Sequence, residues 1–181
     1  MLKLDPKTGL LTGVNYLPSP NSDARPSNEI SLIVVHGISL PKGEFGGPYI
    51  EKLFLNKLSV QDHPSFESIA SLRVSAHVVI DRQGNMTQYV PFSQRAWHAG
   101  VSSFEGKTNC NDYSIGIELE GTDTIPYTLA QYHALAMLIK ILCHTYPISS
   151  QHIVGHSDIA PGRKTDPGPS FDWLQLRSLL S

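Results

Sequence analysis

Between Tyr113 and Gly121 the chain reads YSIGIELEG, and no other stretch restricts the fold so tightly. Ile115, Ile117 and Leu119 alternate with Gly116, Glu118 and Glu120, a period of two that belongs to a β-strand and not to a helix. One side of this strand is apolar and must be packed, while two carboxylates leave from the other. The fold therefore needs a sheet, and the sheet needs a layer against the isoleucine face.

Other segments supply the partners. SLIVVHGISL is a β-branched run that reads as a buried strand ending at His36 and Gly37. VSAHVVIDRQGNMTQYV gives two strands joined by a turn at Asp81-Arg82-Gln83-Gly84-Asn85, a hairpin. HIVGH is a short strand that delivers His156. The packing layer comes from Thr128 to Tyr146, where Thr128 and Gln131 form a capping-box pattern and Tyr132, Leu135, Ala136, Ile139, Leu142, Cys143 and Tyr146 make an apolar stripe. Pro147 stops that helix. Tyr49, Leu53 and Leu58 share one side of a weaker helical pattern, and Ser170 is expected to cap a last helix carrying Trp173, Leu176 and Leu180.

The hairpin introduces an antiparallel step, whereas a purely parallel sheet needs a crossover at every step. The expected fold is α/β, a single domain with a central mixed β-sheet flanked by helices. The turn-rich PSPNSDARPSN marks residues 1–30 as an irregular arm and leaves 31–181 as the folded domain. A chain of 181 residues with 40% hydrophobic content is long enough for one proper core. A net charge of -2 gives no footprint for nucleic acid or an anionic membrane. The opening MLKLDPKTGLLTG lacks the apolar core of a signal peptide, and two cysteines, Cys110 and Cys143, suit a reducing compartment, so the cytoplasm is expected.

Chemistry concentrates in GHSDIAPGRKTDPGP, residues 155–169, where three prolines and three glycines forbid regular structure and stiffen the backbone. His36 and His156 end strands, and Glu118 or Glu120 leaves a third; if these strands are neighbours, the groups meet near Lys164 and either Asp158 or Asp166. Two imidazoles and one carboxylate form a ligand set for catalytic zinc, with a fourth position left for water. Each residue taken singly also has an ordinary structural reading: a hydrogen-bonded strand-end histidine, an exposed carboxylate, an aspartate shaping a turn. His77, among apolar neighbours, reads as packing. No HExxH or CxxC pattern is present to strengthen the metal assignment.

Five runs together, VVHGISLPKGEFGGPYI, LRVSAHVVI, QYVPFSQRAWHAGVSSFEG, CNDYSIGIELEGTDT and GHSDIAPGRKTDPGPSFDW, resemble the zinc-dependent N-acetylmuramoyl-L-alanine amidase family, in the family's order and over most of the chain. The resemblance implies zinc ligands at His36, His156 and Asp166, a general base at Glu118 and a transition-state-stabilising cation at Lys164. It also implies a small-molecule substrate, a muropeptide whose anhydro-muramic lactyl group is joined to L-Ala, cleaved in the cytoplasm during wall recycling; in the family this lowers a signal that induces β-lactamase. Arg73 and Arg163 are candidate partners for peptide carboxylates, Trp97 for the sugar face and His98 for the cleft lining. Gly37 stands where close relatives are expected to carry Asn. Neither nucleic acid nor membrane is an expected partner, and a monomer is expected. The competing reading is a peptidoglycan-recognition module that binds without cutting.

Overall fold

The computed structural model describes residues 2–181. Its elements are, in chain order, β1 (Lys3–Asp5), β2 (Leu10–Thr12), β3 (Asn15–Tyr16), β4 (Ser22–Ala24), β5 (Leu32–Ile38), α1 (Tyr49–Phe54), β6 (Val78–Ile80), β7 (Met86–Gln88), β8 (Gln94–Ala96), β9 (Ser103–Phe104), β10 (Lys107–Thr108), β11 (Ser114–Glu120), α2 (Leu129–Thr145), β12 (Ile153–Gly155), α3 (His156–Ile159) and α4 (Trp173–Leu180). A six-stranded sheet in the order β12-β5-β11-β6-β7-β3 forms the centre. The β12–β5, β5–β11, β11–β6 and β7–β3 pairs are parallel, and the β6–β7 hairpin is antiparallel. The sheet is mixed for the reason the hairpin predicts.

The two-residue alternation sorts the faces. Ile33 and Val35 of β5 and Ile115, Ile117 and Leu119 of β11 pack with Leu135, Leu138, Ile139 and Leu142 of α2 in one buried cluster. Each such aliphatic side chain taken out of water contributes about 1.5–3 kcal/mol. The capping box forms: Thr128 Oγ1 accepts from the Gln131 N–H at 3.2 Å, and Gln131 Oε1 accepts from the Thr128 N–H at 3.0 Å. On the opposite face Leu32, Val34, Ala99, Cys110, Tyr113 and Ile159 make a smaller cluster. Cys110 lies buried there with its Sγ 3.3 Å from the Tyr113 hydroxyl, and both cysteines are free thiols.

Three details differ from the sequence-based expectation. Residues 2–30 run as two- and three-residue strands between turns, because polar side chains fasten them to the body. Arg25 donates to the carbonyls of Phe92, Asn111, Asp112 and Ser114, and Asn21 donates to those of Phe54 and Val74. Such bonds leave no hydrophobic period to read. The final helix is capped by Asp172, whose Oδ1 accepts from the Gln175 N–H at 2.9 Å, while Ser170 donates to the Thr122 carbonyl instead. Helix α1 ends at Phe54, so Leu58 joins the core from beyond it. No helix among the described residues is long and apolar enough to cross a membrane.

His77 packs as expected, fully buried, and it is also hydrogen-bonded. Its Nδ1 accepts from the Gly116 N–H at 3.0 Å, and its Nε2–H donates to the Gln94 carbonyl at 3.1 Å. Burial, and after it the nearby Arg25 charge, pushes its pKa down to about 3. The unfolded chain binds a proton below about pH 6.5 and the folded chain does not until far lower, so stability is full above that pH and falls as acid is added. In chelator, His77→Gln is expected to flatten the unfolding free energy between about pH 6 and 4 by about 1.4 kcal/mol per pH unit. Denaturant titrations giving both proteins the same slope would refute this.

Candidate active site

Parallel pairing decides which side chains meet. In the β5–β11 register His36 stands directly opposite Glu118, and in the β12–β5 register Gly155 stands opposite Val35, which puts His156 next in line. The three groups therefore form a row across the carboxyl ends of three adjacent strands, where open α/β sheets place their ligands. They lie on the face opposite α2. His156 begins the short helix α3, and the glycine- and proline-rich segment then returns to bring Asp166 beside it.

That segment is fastened from several sides. The Asp166 carbonyl accepts from the Ser157 N–H at 3.0 Å, Tyr127 donates its hydroxyl to the Pro167 carbonyl at 2.9 Å, and Thr165 donates to Asp123 at 2.7 Å. Gly37 belongs to this arrangement, since a Cβ there would overlap the Tyr127 hydroxyl oxygen.

At the centre, His36 Nδ1 and His156 Nδ1 are 3.0 Å apart, and Asp166 Oδ2 is 3.2 Å from the first and 3.1 Å from the second. The His156 Nε2–H donates to the Ala99 carbonyl at 3.1 Å, so a neutral His156 turns a bare Nδ1 lone pair into the triangle. Burial pushes the His36 pKa down to about 4, which keeps that imidazole neutral near pH 7. Burial works to raise Asp166, but its contacts with His156 and His36 outweigh it and hold the carboxyl below its ordinary range, so it enters the triangle as a carboxylate. Two imidazole nitrogens and one carboxylate oxygen thus converge within 4.8 Å of one another. Tetrahedral bonds of about 2.0–2.1 Å place ligand atoms roughly 3.3 Å apart, close to the triangle's edges. Converging lone pairs of this kind are offset by a cation, and the donor set fits a metal ion.

Glu118 borders the triangle, with Oε1 4.0 Å from His36 Nδ1. Its Oε2 is buried without any hydrogen-bond partner among the described residues, an expensive state for a carboxylate. Burial, and next the Asp166 charge, raise its pKa well above the usual value. Glu120 differs: its carboxylate accepts from the Gly46 N–H at 2.8 Å and the Arg82 N–H at 3.3 Å. Asp158, the rival of Asp166, accepts from the Gly155 N–H at 2.7 Å and closes the start of α3. The geometry therefore separates both pairs that the pattern alone leaves open.

A cleft of about 200 Å³ contains His36, Glu118, His156, Lys164, Asp166 and His98, with Leu72 and Val74 on its apolar side. A second groove, of about 340 Å³, runs on from it past Lys42 and Asp123 and shares Gly37, Lys164 and Asp166. Three of the expected substrate contacts have protein partners of their own. Trp97 donates its indole N–H to Asp23 at 3.2 Å, beside the Asp23–Arg95 ion pair, and does not line the cleft. Arg163 donates to the carbonyls of Ala99 at 2.6 Å and Val101 at 2.7 Å, clasping two loops together while edging the second groove. Arg73 is exposed and turns back on the Ser71 and Leu72 carbonyls, next to the cleft-lining pair. Sequence reasoning misses Ala99, Asn111, Ser114 and Tyr127, which hold the site residues from behind. Only Ser114 leaves a trace, two and four residues before Gly116 and Glu118 on the same strand face.

The profile of the family described as N-acetylmuramoyl-L-alanine amidase matches residues 26–169. The chain is 57% identical to the 1,6-anhydro-N-acetylmuramyl-L-alanine amidase AmpD of Escherichia coli (strain K12) over 174 residues, 96% of this chain and 95% of that one. The crystal structure of a selenomethionine derivative of AmpD superposes with a TM-score of 0.95 at 55% identity, covering 98% of this chain and 99% of that chain. A complex of the E. coli amidase AmiD with anhydro-N-acetylmuramic acid-L-Ala-D-γ-Glu-L-Lys is similar at a TM-score of 0.61 and 31% identity, over 87% of this chain and 60% of that one.

Proposed function

The chain belongs to the N-acetylmuramoyl-L-alanine amidase family, and from that premise we propose that it hydrolyses the amide joining the lactyl group of 1,6-anhydro-N-acetylmuramic acid to L-alanine in soluble muropeptides. The observation that carries this reading is the buried, unpartnered Glu118 oxygen beside the His36–His156–Asp166 triangle. A recognition module has no need to keep an orphaned carboxylate at such a cost.

We assign His36, His156 and Asp166 as zinc ligands through the atoms that form the triangle. When bound, zinc supplies Lewis acidity, which polarises the scissile carbonyl and makes water ionisable near neutral pH. Glu118 then acts as the proton carrier. Its carboxylate takes a proton from the attacking water as oxygen bonds to the carbonyl carbon, and returns it to the alanine nitrogen as the C–N bond breaks. Lys164, lining the same cleft, places an ammonium near the developing oxyanion. The products are a free lactyl carboxylate and a peptide with a free alanine amine.

Arg73 is kept as a rim contact for a peptide carboxylate, whereas Trp97 and Arg163 support the walls. We place catalysis within residues 31–181, with 1–30 as a fastening arm, and the reaction in the cytoplasm as a recycling step carried out by a monomer. The test is cleavage by purified protein, with and without chelator, of anhydro-muropeptide and intact peptidoglycan side by side. Mass spectrometry is expected to find the soluble substrate split at the lactyl–alanine bond, activity lost in chelator and restored by zinc. Cleavage indifferent to chelator would remove the metal from the proposal, and retention of the ligand uncut would leave the recognition module.

A further inference from the structure

Both imidazoles of the triangle are backed by one short piece of chain. His36 Nε2 lies 2.9 Å from His98 Nδ1, and His156 Nε2 lies 3.1 Å from the Ala99 carbonyl. His98 and Ala99 are consecutive, and both their backbone N–H groups donate to Asn111 Oδ1, at 3.1 and 2.8 Å. The second nitrogen of His98 meets Ser114 Oγ at 3.0 Å. The ring lies so close on β11 that a Cβ at Gly116 would overlap it. Protein groups thus occupy both nitrogens of His98, which leaves neither for a substrate.

We propose that His98 is a positioning residue for the metal centre: it fixes the His36 tautomer that leaves Nδ1 unprotonated, on a His98–Ala99 segment pinned by Asn111 that backs both imidazoles. This rests on the reading of His36, His156 and Asp166 as metal ligands. A neutral imidazole that binds a metal through Nδ1 must carry its proton on Nε2. For His36 that proton goes to His98 Nδ1, which obliges His98 to hold its own proton on Nε2, and Ser114 Oγ accepts it. The chain of donors runs in one direction, from ligand to strand β11. Without His98 the His36 ring loses both its tautomer preference and its stop against rotation. The glycine at 116 then has a reason, because only the absence of a side chain leaves room for the ring between β11 and His36.

The test uses full-length protein stripped of metal, with zinc affinity measured by chelator competition and the site geometry read from the visible absorption of the cobalt-loaded form. His98→Ala is expected to weaken zinc binding about 10–100-fold and to alter the cobalt spectrum, with metal-free thermal unfolding recorded alongside. His98→Asn and His98→Gln decide the matter even where the alanine variant folds poorly. Asn places an acceptor where Nδ1 stood and is expected to restore most of the affinity; Gln places its amide further out and is expected to restore little. Equal zinc affinity and unchanged cobalt spectra across wild type, Asn and Gln variants would overturn the proposal. Wild-type protein that binds neither ion would overturn the metal reading on which it stands, a different failure that shows in the parent protein alone.

Discussion

Glu118→Gln is expected to lower amide hydrolysis about 10²–10⁴-fold, the usual contribution of a positioned proton carrier, while the protein still binds zinc. The two effects separate because Glu118 lies outside the triangle, with its nearer oxygen 4.0 Å from His36 Nδ1. A third readout comes from stability. A carboxyl whose folded pKa is raised is ionised in the unfolded chain at neutral pH, and folding must work against that charge; the stability it costs grows as pH rises above the unfolded value near 4.3. Removing the charge from the buried, unpartnered oxygen should therefore leave the metal-free variant at least as stable as the parent at pH 7. Slow hydrolysis, retained zinc and an undiminished Tm form one signature. Parent-like turnover would take the proton-carrier role from Glu118, and a lowered Tm would mean that the carboxylate has a structural partner.

His156→Ala should abolish turnover by a different route, through loss of the metal. It deletes one corner of the triangle and frees the Ala99 carbonyl, which Arg163 continues to hold at 2.6 Å, so the surrounding loop has a reason to stay in place. The expected drop in zinc affinity exceeds the about 10–100-fold that follows from losing an outer hydrogen-bond partner. Elemental analysis after dialysis should find far less than one equivalent, with hydrolysis lost in proportion. One full equivalent of zinc in the variant would exclude His156 as a required ligand. Raising free zinc is expected to recover part of the lost activity in this variant and none in Glu118→Gln, which distinguishes a missing ligand from a missing base.

The elements that carry a strong period are legible in the amino-acid sequence. The 113–121 alternation becomes the central strand β11, and the capped stripe from Thr128 becomes α2, because burial of one face and local hydrogen bonding act over a few residues. What brings the candidate groups together is strand order, and β5 lies between β12 and β11 although the chain meets them in the order β5, β11, β12. No local pattern encodes that order. The contests between Glu118 and Glu120, and between Asp158 and Asp166, are equally closed to pattern, since they turn on which carboxylate already has backbone N–H partners. Trp97 and Arg163 show the opposite limit. An aromatic ring and a guanidinium near a site suit a ligand by residue type, yet here their polar atoms bind Asp23 and two loop carbonyls. The arm illustrates a third gap, because side chains such as Arg25 that bond to distant carbonyls contribute nothing to a hydrophobic period.

The corners of the triangle are far apart along the chain: His36 and His156 are separated by 120 positions, and His36 and Asp166 by 130. During synthesis the amino-terminal histidine emerges long before its companions, and a ribosome-bound chain lacks a complete coordination set until Asp166 has cleared the exit tunnel. Loading of such a site with a metal ion would then be one of the last events in maturation, and a prematurely terminated product lacking the Asp166 loop would keep most of the sheet's sequence yet lack the full donor set.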